Sequence, residues 1–211
     1  MLRLAPLGLL FCLLRVENGN GERKFIGVNN GGDLGYWSSA EFCPGALKAR
    51  GFSLKVERRQ KIGDDTALNG IKLFCGKDGS YSQDISITSA EGRHFIVRVS
   101  VLHSERGGAF SGRSLRWGKW TEPKWCSHGF LTQFALKHED NFLVNDYTAA
   151  NNILFRCSKG SELEGDGESW GAYGDWSATC AAGFSGIQTR VEEDQGKFND
   201  DTSLNDVMFS C

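Results

Sequence analysis

The chain has 211 residues and a formal net charge of −2, with 27 glycines, 3 prolines, 14 phenylalanines and 6 tryptophans. Such a length bounds it to one domain of moderate size. With neither a basic stripe nor a long run of like charge, there is no electrostatic basis for nucleic acid or an anionic membrane surface as a partner.

The chain opens on MLRLAPLGLLFCLLR, where one early arginine precedes an apolar stretch from Leu4 to Leu14. That stretch is too short to cross a bilayer and matches a signal-peptide core, so residues 1–19 are expected to be removed on secretion, with the cut near Asn18 to Gly21. A buried N-terminal helix is the structural alternative. No later segment approaches the length of a membrane span.

Cys12 would leave with the signal peptide, and six cysteines remain: Cys43, Cys75, Cys126, Cys157, Cys180 and Cys211. Six thiols allow about 15 connectivities. Their spacing is regular, 32 residues from Cys43 to Cys75 and 31 both from Cys126 to Cys157 and from Cys180 to Cys211. Three equivalent bridges with those pairings are the economical solution, each closing a loop that adds about 3 to 4 kcal/mol in the chain-entropy model. A zinc site is disfavoured because no C-x-x-C pair exists and His94, His103, His128 and His138 do not cluster with the cysteines. No metal or other cofactor is expected.

Past the leader, the chain repeats itself. GDDTALNGIKLFC (63–75) returns as NDYTAANNILFRC (145–157) and as NDDTSLNDVMFSC (199–211), keeping Thr, Asn and Cys in step. Upstream, GFSLKVE (51–57) aligns with QFALKHE (133–139) and GIQTRVE (186–192), and each copy begins with an aromatic, glycine-rich opening: GGDLGYW, RWGKW and SWGAYGDW. In FSLKV, Phe52, Leu54 and Val56 alternate with Ser53 and Lys55, the period of a half-buried strand, and Ile71, Leu73 and Cys75 do the same. Gly and Asp/Asn clusters supply the turns, and no helical stripe persists. Three small sheets facing one axis would bury three apolar faces as a prism; a three-bladed propeller-like ring is the rival. The domain is expected to span 25–211, with repeats at about 27–80, 114–160 and 165–211.

One stretch breaks the pattern. Thr66 and Thr148 lie 82 residues apart but Thr148 and Thr202 only 54, an excess of 28. Most of it is assigned to an atypical insertion at 91–113, which includes a strand-like run, Phe95 to Leu102, that would add an unpaired edge. A poorly ordered insertion, or the product of an alternative or mispredicted splice junction, is preferred to a functional loop.

The motifs GDDTALNGIKLFC, WGKWTEPKWC, GFSLKVE, NDYTAANNILFRC and SWGAYGDWS closely resemble the vitelline membrane outer layer family, from about Gly27 to Cys211 apart from the insertion. The resemblance implies an all-β fold, a β-prism of three Greek-key four-stranded sheets around a pseudo-threefold axis, stabilised by disulfides. It implies secretion into an extracellular coat or fluid, a founding member linked to chito-oligosaccharide transfer, and a fold shared with plant lectins and insecticidal toxin domains. Where the family carries a further cysteine after the one matching Cys180, this chain has Phe184, and the partner cysteine beyond Cys211 is also missing, so that bridge is expected to be lost.

The repeated acids Asp64, Asp65, Asp146, Asp200 and Asp201 are the candidate glycan contacts. Glycoside chemistry would need two carboxyl groups about 5 to 9.5 Å apart with one held protonated. Tyr147 replaces the second acid in the middle copy, so the set is not symmetric, and no distinctive acid marks one copy as catalytic. Turn architecture is the preferred reading, because Asp, Asn and Thr bond nearby backbone amides. Trp37, Trp120 and Trp176 align, with Trp117, Trp125 and Trp170 nearby, and are expected to cap a core rather than stack on sugars. Lys55, Lys137 and Arg190 are expected to face solvent, paired with Glu57, Glu139 and Glu192. The preferred function is a secreted, non-catalytic structural or glycan-associated protein whose partners are coat glycoproteins or oligosaccharides. The alternative is an enzyme that transfers or cleaves chito-oligosaccharides through loop carboxylates. No N-x-S/T sequon is present.

Overall fold

Where apolar residues alternate, the chain forms strands. A computed structural model of the protein describes residues 23–57, 68–90, 118–138, 150–192 and 204–211, and among these there is no helix. The leader (1–19), the insertion (91–113) and the five candidate aspartates all lie outside the described residues.

Three long antiparallel hairpins form the frame. They are β4 (Lys48–Val56) with β5 (Leu68–Gly76), β9 (Leu131–His138) with β10 (Asn152–Cys157), and β13 (Gly186–Val191) with β14 (Leu204–Ser210). Each is the centre of one sheet. In the first two sheets the outer edge of the second long strand is covered by the strand that follows it, β6 (Ser86–Thr88) on β5 and β11 (Glu162–Glu164) on β10. The other edge is covered by the next repeat: β7 (Lys119–Trp120) and β8 (Lys124–Trp125) pair with β4, and β12 (Ala172–Tyr173) pairs with β9. The third sheet is completed from the start of the chain, with β1 (Phe25–Ile26) on β14 and β2 (Tyr36–Trp37) and β3 (Glu41–Phe42) on β13. Sheet and sequence repeat are therefore out of phase, and the repeats interlock around a β-prism.

The disulfides follow this phasing. Cys43 directly follows β3 in the third sheet and bonds Cys75 in the first. Cys126 follows β8 in the first sheet and bonds Cys157 in the second. Cys180, whose N–H donates to Thr132 of β9, bonds Cys211 at the end of β14. Each bridge thus crosses a corner between two sheets.

Inside, the alternating residues meet at the axis. Phe52, Phe134, Phe155, Phe184 and Phe209 are all buried, with ring centroids of Phe52 and Phe155 4.6 Å apart and of Phe134 and Phe209 4.8 Å apart. Phe184 stacks on Phe209 at 4.7 Å and fills core volume. Each such side chain contributes about 1.5 to 3 kcal/mol by leaving water.

Two expectations about side chains are corrected. No tryptophan among the described residues is in this core: Trp37 is exposed, and Trp120, Trp125, Trp170 and Trp176 are half-buried on the outer faces. An indole is too large for an axis filled by phenylalanines, and instead Trp120 lies under Lys72 Nζ at 4.3 Å and Trp176 under Arg156 at 4.0 Å. Lys55 and Glu57, expected to face solvent, are only 3% and 7% exposed, because the edge strand carrying Trp120 lies beside them.

Arg50 is fully buried, an exception to the rule that charge stays outside. Its guanidinium donates to Asp78 Oδ1 at 2.6 Å, to Ser80 O at 3.2 Å, to Cys126 O at 3.2 Å and to Gly129 O, so it ties the 77–80 turn to the bridge cysteine Cys126 and the segment just after it. The Gly129 N–H and then Arg50 hold the Asp78 carboxyl below the usual carboxylate range. Thr132 and Ser185 occupy the corresponding places in the other long hairpins, so this pin belongs to the first sheet. Arg50→Ala leaves the carbonyls of Gly129 and Cys126 without their donor and is expected to cost about 2 to 4 kcal/mol in urea denaturation, and Arg50→Lys to recover less than half. A loss below about 0.5 kcal/mol would show that the guanidinium is dispensable.

Candidate functional site

Asp64, Asp65, Asp146, Asp200 and Asp201 fall, in sequence, between the two strands of each long hairpin. The residues where the described chain resumes pack together. Leu68, Ala150 and Leu204 are fully buried, and Ala150 N–H donates to Leu204 O at 2.8 Å across two sheets. Next to them the repeated Asn69, Asn151 and Asn205 are also buried. Asn151 O accepts from Glu168 N–H and its Nδ2 donates to Trp170 O at 3.3 Å, while Asn205 O accepts from Gly32 N–H. In the second and third hairpins the repeated asparagine thus fastens the opening of another repeat to the hairpin.

Strand register brings a second threefold set together on the outer faces. Lys55 lies opposite Gly70 on one side and Trp120 on the other; Lys137 lies opposite Asn152 and Tyr173; Arg190 lies opposite Asp206 and Trp37. The aromatic matching Trp37 and Trp120 is therefore Tyr173, not Trp176, which corrects the alignment made from sequence. Lys137 Nζ sits 5.2 Å from the Tyr173 ring, and the Tyr173 hydroxyl donates to Glu164 Oε1 at 2.9 Å. Burial, reinforced by Glu164, pushes that phenol above its ordinary value.

The third member of this set alone carries an acid opposite its cation on the neighbouring long strand. Burial pushes the Asp206 carboxyl up to about 6, and Asp33 adds to the rise, whereas the Val207 N–H and Arg190 pull it down. Arg190 Nη1 reaches Asp33 Oδ1 at 3.6 Å and its Nε donates to Gly35 O at 3.2 Å. Beside this group Leu34, Tyr36 and Trp37 are exposed, Tyr36 by 81%. A half-buried carboxyl that titrates near neutrality can both donate and accept hydrogen bonds to a hydroxyl. Sequence reasoning missed Asp206, although the signal was present: Asn-Gly, Asn-Asn and Asn-Asp at the same place in the three repeats.

Two clefts lie where the first and second sheets meet. One, about 520 Å³, is lined by Val56, Glu57, Lys119, Trp120, Thr121 and Asp166. The other, about 350 Å³, is lined by Lys137, Asn152, Glu164, Asp166, Glu168 and Ser169, with Gly165 and Gly167 as its floor. Asp166 is common to both, and it pairs with Lys124 at 2.6 Å across the corner.

Comparison with known proteins places this geometry in context. A family model described as vitelline membrane outer layer protein I matches residues 24–95 and 103–211, and the gap falls inside the 91–113 stretch. The chain is 41% identical to the human vitelline membrane outer layer protein 1 homolog, covering 99% of this chain and 95% of that one. To the mouse homolog it is 42% identical, covering 89% and 83%. Among solved structures, the second β-prism domain of RbmC from V. cholerae matches with a TM-score of 0.41 at 11% identity, covering 90% and 98% of the two chains. A mannose-binding lectin from champedak matches at 0.38 and 10% identity, covering 84% and 96%.

The Asp206 environment has a consequence for stability. The native carboxyl keeps its proton up to about pH 6, whereas the unfolded one releases it near 3.8. The native state then binds more protons between those values, so stability falls as pH rises through that window. Asp206→Asn, which copies Asn152, is expected to raise stability at pH 7 by about 1 kcal/mol after allowance for solvent screening. It should also abolish that fall between about pH 4 and 6 in urea denaturation series; an unaltered pH profile would refute the assignment.

Proposed function

The chain belongs to the vitelline membrane outer layer protein I family, and from that premise we propose that it is a secreted, non-catalytic structural or glycan-associated component of an extracellular coat or fluid. The observation that carries this reading is the set of three disulfides, one across each corner of the prism. Such bonds persist in oxidising compartments, and they fix three sheets that would otherwise be held at their corners by short edge strands alone. Residues 1–19 are the secretion signal in this reading, and 25–211 form one domain. Coat glycoproteins or oligosaccharides are the partners, met by an outer surface rich in paired cations, carboxylates and half-exposed aromatics.

The repeated acids, Asp64, Asp146 and Asp200 among them, are not catalytic in this reading. Incubation with chito-oligosaccharides, combined with glycan-array binding, tests it on the native protein and on Asp64→Asn and Asp200→Asn. Binding to glycans with product formation no faster than buffer in all three proteins is the expected result. Native turnover that drops by about a hundredfold or more in either variant would establish a carbohydrate-active enzyme instead.

A further inference from the structure

The corner between the first and second sheets differs from its counterpart between the second and third. Each is bordered by a connection that runs from the outer strand of one sheet to the edge strand of the same sheet: 165–171 in the second sheet and 27–35 in the third. Gly31 and Gly167 hold matching places, since a Cβ on Gly31 would stand 2.1 Å from Asp206 Cγ and one on Gly167 would stand 2.8 Å from Asn152 Cγ, at matching positions of β14 and β10. The preceding residues are Asn30 and Asp166. Asn30 Nδ2 donates to Leu136 O of β9 at 2.9 Å and packs where a Cβ on Gly174 would lie only 2.4 Å from its Cγ. That side chain seals the corner. At the other corner Thr121 stands in place of Gly174, and Asp166 turns outward to Lys124, so the two clefts stay open on either side of it.

The lining is also built rather than incidental. In Glu164-Gly165-Asp166-Gly167-Glu168 the glycines press onto the sheet, a Cβ at Gly165 meeting Leu54 Cδ1 at 2.4 Å and one at Gly167 meeting Asn151 O at 2.3 Å. Asn152 is 4% exposed and secures both, donating to Gly165 O at 2.8 Å and accepting from Gly167 N–H at 3.2 Å. Asp166 between these contacts and Glu164 and Glu168 on either side of them line the groove with Lys137 and, across Asp166, with Lys119, Trp120 and Thr121. Each cleft falls in the size range that holds a small ligand.

We propose that this groove binds a neutral oligosaccharide, an inference that rests on the glycan-associated reading and locates its site. Carboxylates and amines set side by side suit vicinal hydroxyls, which accept and donate at once, and the half-exposed indole of Trp120 lines the cleft beside them. An anionic sugar would meet Glu164, Asp166 and Glu168 and be repelled.

The test is an NMR titration of the full secreted protein with chitotetraose, maltotetraose and mannotriose, and with a heparin tetrasaccharide. At least one neutral sugar is expected to shift the Gly165 and Gly167 amides and the Trp120 indole N–H. Asp166→Ala should weaken that binding about tenfold or more, while its exposed ion pair leaves the melting temperature within a few degrees. Shifts centred on Tyr36 and Trp37, or unchanged affinity in Asp166→Ala, would overturn the groove while leaving glycan binding intact. Binding of no neutral sugar, or of heparin alone, would overturn both.

Discussion

No sheet in this protein is complete without residues from another repeat. A two-stranded hairpin is marginal in water, and a third strand or a packed face is needed for it to persist. In the first two sheets the outer strand comes from within the repeat, but the inner edge of β4 and β9 is covered only by short strands of the next copy, and β13 and β14 are both covered by strands from the start of the chain. That borrowing positions everything else. It places the bridge cysteines at corners, brings an aromatic beside each of Lys55, Lys137 and Arg190, and lets the opening segments at 165–171 and 27–35 be fastened to a hairpin by the buried Asn151 and Asn205.

The phenylalanine axis is the second consequence. Because each sheet turns the same alternating face inward, the three faces meet along one line, and single phenyl rings fill it. Phe184 belongs to that packing. Fully buried, it contributes apolar area and a stack on Phe209 to the core.

Much of this was legible in the sequence, and the boundary of what was legible is physical. The long strands announced themselves because a period of two over five or more residues is a strong signal, and FSLKV, IKLFC and their copies form β4, β5 and the equivalent pairs. The short edge strands carry no period, since two residues cannot alternate. Their register had to be guessed from aromatics, and the guess failed in the third copy, where seven steps rather than six separate the edge-strand aromatic, Tyr173, from its cysteine. The burial of Lys55 was hidden for the same reason: its position in the pattern is outward, and only the borrowed strand covers it. Asp206 and the groove escaped notice because attention to what the repeats share passes over the places where they differ. Asn30 against Asp166, and Gly174 against Thr121, are such differences.

The pairing of β1 with β14 joins residues near the two ends of the domain: Phe25 lies opposite Ser210, and Cys211 N–H donates to Lys24 O at 3.0 Å. In time this is a sequence of events as well as a contact. The chain emerges from the ribosome with residues 25–42 first, and the strands that receive them last, so the earliest-made edge waits unpaired until synthesis is nearly complete. Closure over almost the full contour length is the kind of non-local step that slows folding. The ring is therefore sealed once, at a single seam, and a chain shortened from either end would lose the same joint.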